Sequence, residues 1–410
     1  MPSDTTTTTN EDKPVRVLYS FPHKLGGARI CGIAWHQVNG VAAAGAQVLA
    51  FPGVLSRPLP PHISVRPTLA RGKLRIPYKV LGGARAGALH DWIVARRLQR
   101  MNSQVDVVHT WPLGARRTLE VAKQLGIPTV LERPNAHTRF AYGVVEKECR
   151  KLGITMPPGH EHAFNAEYLR LEEEEYAAAD RLLCPSDFVT RTFLNEGFPP
   201  KKLVRHQYGF DDKVFYSGQQ NAVDGHGLTV LFAGGCAPRK GLHYALEAWL
   251  KSTAHERGSL LIAGEFIPGY AEKLSSSLSD PSVKVLGYRK DLPELMRRSD
   301  IFTLPSIEEG SALVTSEARG SGCVLLVSDA SGAVCQHMEN ALAHRAGDVN
   351  MLAQHFTMLH EDRNLLERLR SSSLRTASQI TWAAAGVKLL HIYSDLLAAK
   401  KAEKRLTTSV

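Results

Sequence analysis

Short apolar runs alternate with helix-period stretches along this chain, and the alternation runs through twice. The first pass opens on an apolar strand at 15–20, ended by Phe21-Pro22, then a Gly-Gly turn at Gly26 and Gly27, a helix near 30–44 and a strand at 46–51. A strand at 105–109, a helix near 115–125, a strand at 129–132, a charged helix at 161–179, a strand at 181–184 and a helix at 187–196 continue it. Residues 217–227 (SGQQNAVDGHG) are polar, Gly-containing and without period, which marks a linker. Beyond it the pattern restarts, with strands at 228–233, 259–263, 283–286, 301–304 and 324–328 and helices at 242–252, 270–278, 292–298 and 312–320. Strands separated by helices pair in parallel, because a parallel crossover needs a dozen or more residues. The expected fold is therefore α/β, with two Rossmann-like doubly wound parallel-sheet domains facing across a cleft. The length of 410 residues agrees, being more than one core usually serves. Helical stretches at 350–359, 364–378 and 382–401 follow without a strand, leaving the last able to return to the first domain. The expected boundaries are a tail at 1–13, a first domain at 14–216, the linker at 217–227, a second domain at 228–380, and a crossover helix with tail at 381–410.

Composition narrows the class. The 43% apolar and 22% charged fractions are those of a globular protein, and no apolar run approaches the roughly 20 residues that span a bilayer. Residues 1–13 are polar and Thr-rich, unlike a signal peptide, and read as a disordered tail. Six scattered cysteines without metal-type spacing suggest reduced thiols and a cytoplasmic setting. The net charge of +10 is uneven: ten Lys/Arg lie between Arg57 and Arg100 against the single acid Asp91. A solvated face, an anionic membrane or phosphorylated acceptor, and a nucleic acid are three open readings. Tyr78 and Trp92 are the stretch's only aromatics, which argues against stacking on bases. Leu81, Leu89, Trp92, Ile93 and Leu98 among Arg85, Arg96, Arg97 and Arg100 would make an amphipathic basic helix at a membrane interface.

Three segments carry chemistry. The strand at 228–233 runs into Gly234-Gly235, and Arg239-Lys240-Gly241 precedes a helix. Paired cations at a helix N-terminus suit a diphosphate. Gly26-Gly27-Ala28-Arg29 lets a backbone approach a ligand closely, although an ordinary turn would look the same. Glu309 and Glu317 stand eight positions apart, where a strand gives way to a helix. Carboxylates so placed can accept hydrogen bonds from sugar hydroxyls, while solvated helix residues are the plainer alternative. Neither GxGxxG with a ribose-binding acid nor GxxxxGK[ST] occurs, which argues against dinucleotide oxidoreductases and P-loop enzymes.

Taken in order, the segments resemble the retaining glycosyltransferases of family 4, which have the GT-B fold. The likeness rests on Gly26-Gly27-Ala28-Arg29, Cys184-Pro-Ser186, Gly209-Phe-Asp211, Phe232-Ala-Gly234, Arg239-Lys-Gly241, Leu261-Ile-Ala-Gly264, Leu304-Pro-Ser306 and Glu309-Gly310 with Glu317-Ala318. It implies an N-terminal acceptor domain, a C-terminal nucleotide-sugar domain, no metal and no cofactor besides the nucleotide-sugar substrate. Arg239 and Lys240 would hold the donor diphosphate, Glu309 the transferred sugar and Glu317 the ribose. Gly234, Gly310, Ser311, Ala312 and Leu313 would line the donor, Tyr288 and Arg289 the base, and Gly26 and Gly27 the phosphate and sugar. The acceptor would be a hydroxyl on a glycan or lipid-linked carrier, with no nucleic acid involved, and the protein would be cytoplasmic or peripheral on the inner membrane face.

Three departures bear on activity. His109-Thr-Trp111 stands where the family often reads His-x-His, so the second His is Trp111, and His109 or His137 would serve the acceptor side. Ser311-Ala312 replaces the common Phe-Gly, and Tyr208 replaces the usual Asn before Gly209. An alternative function is therefore a catalytically impaired GT-B scaffold or regulatory subunit that binds a nucleotide-sugar or a partner.

Overall fold

The computed structural model describes residues 13–72, 74–76, 81–218 and 227–408. Residues 1–12 of the expected tail, 219–226 of the linker, and Lys73, Tyr78 and Lys79 of the basic stretch lie outside the described residues. The strands are β1 Arg16–Leu25, β2 Gln47–Leu55, β3 Ser64–Val65, β4 Ala70–Arg71, β5 Leu74–Arg75, β6 Val107–Thr110, β7 Thr129–Glu132, β8 Arg181–Cys184, β9 Leu203–Arg205, β10 Thr229–Ala233, β11 Ser259–Ala263, β12 Val283–Gly287, β13 Ile301–Leu304, β14 Val324–Ser328 and β15 Ala341–His344. They form a seven-stranded sheet of order β3-β2-β1-β6-β7-β8-β9, a six-stranded sheet of order β12-β11-β10-β13-β14-β15, and the small β4-β5 pair. Both large sheets are parallel α/β sheets, as the alternation predicts.

Contacts divide the chain into two compact units, Met1–Leu131 with Glu174–Asp180 and Gly386–Val410, and Glu132–Glu173 with Arg181–Ala385. The first unit packs Leu18, Phe51, Val94, Leu98, Val108 and Ala122 into one apolar cluster. The second buries Val230, Phe232, Trp249, Ile262, Phe302 and Leu326, among others, around its six-stranded sheet. The long final helix, Trp382–Thr408, contributes from Gly386 onward to the first unit. A Cβ at Gly386 would lie 2.4 Å from the carbonyl carbon of Gly40, so glycine is what lets this helix lie against Ile30–Ala43.

Several local expectations change. β1 does not stop at Phe21-Pro22 but runs to Leu25, with a register shift between Phe21 and Lys24 where the missing proline N–H would interrupt the ladder. Gly53 is needed opposite, since a Cβ there would meet the Pro22 carbonyl oxygen at 2.5 Å. The helix expected at 270–278 breaks into Tyr270–Lys273 and Ser275–Leu278. The charged helix begins only at Ala166. Helix Thr138–Leu152 and strands β9 and β15 lie where no element is expected. The basic stretch does form an amphipathic helix, Gly83–Arg100, burying Ala86, His90, Val94 and Leu98 and exposing Arg85, Arg96, Arg97 and Arg100.

Two buried carboxylates hold the helix Arg116–Gln124 in the first unit. Glu175 accepts from the backbone N–H groups of Leu113, Gly114 and Ala115 at 2.8, 3.0 and 2.8 Å. Asp91 accepts from the N–H groups of Arg117 and Thr118 and from the Thr118 hydroxyl. The orphan donors of a helix start are thereby satisfied, and negative charge sits at the positive end of the helix dipole. Glu175→Ala leaves three N–H groups without their acceptor and is expected to cost about 3 kcal/mol. In differential scanning calorimetry that is a melting transition lower by roughly 10 °C. A shift under one degree would remove this role.

Candidate active site

In the six-stranded sheet the strand order reverses between β10 and β13, and ligands of such sheets bind beyond the carboxyl ends of the strands at that point. β10 leads through Gly234 to the turn Pro238–Lys240, and β13 leads through Pro305 to Glu308 and Glu309. The two loops are joined by the Ile307 N–H, which donates to the Arg239 carbonyl at 2.9 Å. Gly241 has φ +69°, and a Cβ on it would sit 2.0 Å from the Pro305 oxygen. It starts the helix Leu242–Lys251, whose first turn holds no acid.

What the loops bring together is a buried quartet. Arg239 Nη1 lies 3.0 Å from Glu309 Oε1, 3.4 Å from Glu308 Oε2 and 2.9 Å from the Glu308 carbonyl oxygen. Lys240 Nζ also pairs with Glu309 Oε1. Side-chain exposure is 12% for Arg239, 15% for Lys240, 8% for Glu309 and 0% for Glu308, so the charges meet largely out of water. Burial alone would depress the Arg239 pKa, but Glu309 and Glu308 outweigh it and the guanidinium stays charged. Burial would raise the Glu309 carboxyl, yet Arg239 and Lys240 hold it below the usual range. Burial lowers Lys240 and raises Glu308, each against an opposing neighbour.

Around the quartet the backbone is tightly fitted. A Cβ at Gly310 would fall 1.6 Å from the Pro134 carbonyl oxygen, and the Ser186 hydroxyl donates to the Gly310 carbonyl at 2.5 Å. Ala312 donates its N–H to Ser331 and precedes the helix Leu313–Gly320, while Ser311 and Leu313 flank it half-buried. Glu317 rides on this helix, where burial pushes its carboxyl up to about 7. By contrast, Tyr288 stands on the surface at 70% exposure and Arg289 is forked onto Asp291 at 2.8 and 2.6 Å.

The first unit repeats the arrangement, with its order reversing between β1 and β6. β1 ends before Gly26, whose φ of +88° and 2.3 Å clearance to Arg57 Cβ admit no side chain. β6 carries His109, fully buried, with Nδ1 2.6 Å from the Tyr393 hydroxyl and its ring 4.4 Å from that of Tyr19. Trp111 is buried as well, donating to the Tyr19 hydroxyl at 2.7 Å, and Tyr19 donates to Gln37 at 2.6 Å. His137, in the second unit, packs on Phe193 and Phe198, and burial lowers it to about 4. Tyr208 donates to buried Glu132 at 2.8 Å. Sequence reasoning missed Glu308; its one visible signal is a second acid directly before Glu309.

Residues 227–362 match the family model described as Glycosyl transferases group 1. No curated protein matches. Among solved structures, the chain is similar to HepE of Anabaena in complex with UDP, at 18% identity and TM-score 0.63 over 93% of this chain and 100% of that one. It is similar to sucrose-phosphate synthase of Thermosynechococcus elongatus, at 18% identity and TM-score 0.65 over 94% and 100%. WaaG, a glycosyltransferase involved in lipopolysaccharide biosynthesis, gives 14% identity and TM-score 0.61 over 92% and 99%. The fold is GT-B. The residues that match the group 1 glycosyltransferase model, 227–362, include the whole quartet.

Glu317 gives the GT-B fold a measurable pH dependence. Its folded pKa of about 7 lies above the ordinary 4.5, so the folded state holds the proton more tightly than the unfolded one. That contribution is full below the unfolded value and is lost as pH rises through about 7. Glu317→Gln is expected to match wild type near pH 4.5 and to melt several degrees higher near pH 8. Parallel melting curves across that window would refute the burial of this carboxyl.

Proposed function

We propose that the protein is a retaining glycosyltransferase that moves a sugar from a nucleoside-diphosphate-sugar to a hydroxyl acceptor, without a metal. The observation that carries this reading is the buried Arg239–Lys240–Glu309 cluster at the β10/β13 reversal. The departing nucleoside diphosphate gathers negative charge as the glycosidic bond breaks, and preorganised cations out of water stabilise that charge strongly. Arg239 and Lys240 are such a pair, and with them at the diphosphate Glu309 is released to accept hydrogen bonds from the sugar hydroxyls. Glu317 takes the ribose, and Tyr288 and Arg289 border the base. With retention, the leaving phosphate oxygen itself takes the acceptor proton on the attacked face, and this reading uses neither His109 nor His137 as the base. HepE, a structural neighbour, is in complex with UDP, which supports a nucleotide donor here.

A panel of UDP-, GDP- and ADP-sugars tests the donor. One member, at a hundred times its Kd, is expected to stabilise the fold by about 2.7 kcal/mol. Arg239→Ala is expected to abolish that shift and to lower kcat/KM by roughly a hundredfold or more. No shift with any donor would overturn the reading. The second reading, a scaffold without turnover, is favoured by Trp111 buried where a second His is expected. Donor hydrolysis separates the two: turnover in wild type that Glu309→Ala abolishes rejects the scaffold.

A lipid-linked acceptor at an anionic membrane is the finer part of the proposal. Exposed Arg96, Arg97 and Arg100 stand beside Trp92 and Ile93 on a cavity of about 1030 Å³, and the Arg96 guanidinium covers the Trp92 ring at 4.5 Å. Cations with an amphipathic aromatic suit an anionic headgroup layer. Sedimentation with phosphatidylglycerol vesicles at low salt is expected to pellet the protein, and the triple Arg→Ala variant to leave it in the supernatant. Equal behaviour of both would remove the membrane from the proposal.

A further inference from the structure

Glu308 is the fourth member of the quartet and has no part in the reaction described above. Its carboxyl is fully buried, and its two oxygens have different partners. Oε1 accepts the Ala136 N–H at 3.3 Å, while Oε2 meets Arg239 Nη1 at 3.4 Å. Ala136 belongs to the loop that follows β7, in the same compact unit, so Glu308 is anchored from behind by a segment separate from the cation pair. Glu309 has no such backbone anchor among its described contacts, which are Arg239 and Lys240. Two carboxylates therefore touch Arg239, one fixed and one able to leave.

The formal charges explain why that difference matters. Arg239 and Lys240 supply two positive charges, and Glu308 and Glu309 two negative ones. When sugar hydroxyls take Glu309, the pair turns to the diphosphate, but Glu308 stays on Arg239. Burying a carboxylate is costly, and an amide of the same shape would fill the space and could still accept from Ala136. A full charge at this point acts on the neighbouring cation beyond what packing requires.

We propose that Glu308 is a positioning residue that fixes the Arg239 guanidinium and offsets part of its charge, weakening the hold on the spent nucleoside diphosphate and speeding its release. This rests on the donor reading above. It predicts a change opposite in sign to that of a damaged site. Glu308→Gln, which keeps shape and the Ala136 bond, is expected to bind the nucleoside diphosphate and inorganic pyrophosphate about tenfold more tightly, with slower dissociation in stopped flow. The donor KM and kcat are expected to fall together, whereas a merely structural role would leave binding unchanged or weaken it.

Titration calorimetry with UDP, GDP, ADP and pyrophosphate on wild type, Glu308→Gln, Glu308→Asp and Arg239→Ala decides the matter. Wild type that binds none of the four sinks the donor reading itself. Wild type that binds, with Glu308→Gln equal or weaker, overturns only the role of Glu308. Should Glu308→Gln fail to fold, Glu308→Asp, whose carboxylate is withdrawn from Arg239 by one methylene, is expected to bind two- to threefold more tightly, and unchanged affinity there overturns the proposal.

Discussion

A parallel sheet gathers the carboxyl ends of all its strands along one edge, and where the strand order reverses, two neighbouring loops leave that edge in opposite directions. In the six-stranded sheet this constraint alone brings the loop after β10 against the loop after β13. The contact is made tight by glycine. Gly241 lets one loop turn under Pro305, and Gly310 lets the other approach Pro134 at a distance that no Cβ would allow. Arg239, Lys240, Glu308 and Glu309 meet because the backbone carrying them has nowhere else to go.

Once assembled, the charges decide what the site can bind. Isolated buried ions would be intolerable, and here each cation touches a carboxylate while Glu308 also takes a backbone N–H. A site balanced in this way is poised for exchange. In the proposed donor complex a polyanion would replace a carboxylate as partner of the cations, and the released carboxylate would become an acceptor for hydroxyls. Under that proposal, electrostatics link the phosphate end of the donor to its sugar end.

Much of this was legible in the chain, and the parts that were not share a physical reason. Apolar runs and helical periodicity expose most of the strands and crossover helices, while β9, β15 and the helix Thr138–Leu152 carry no such signal. Pro22 looked like a stop because proline cannot donate to a ladder, yet the register shift between Phe21 and Lys24 accommodates it. Glu175 lies in a stretch that reads only as a charged helix, but it is buried as the acceptor for a helix start some sixty positions earlier. Glu308 was missed for the same cause, its partners being 172 and 69 residues away. Paired Glu309 and Glu317 stood out because their spacing is local. Long-range hydrogen bonds leave no local pattern.

The first unit shows what the same topology does with different side chains. Its order reversal lies between β1 and β6, but there the edge is filled by Tyr19, His109, Trp111 and Tyr393, joined by hydroxyl, indole and imidazole hydrogen bonds. Trp111 in place of a second histidine is thus part of a packed aromatic layer, and its N–H is used to hold Tyr19. This buried aromatic layer is tied together through His109, whose Nδ1 lies 2.6 Å from the Tyr393 hydroxyl. In the proposed reaction the proton leaves with the phosphate, so chemistry that depends on charge can reside in the second unit. The cation pair then carries the barrier lowering, and the balance between Glu308 and Glu309 sets how firmly its product is held.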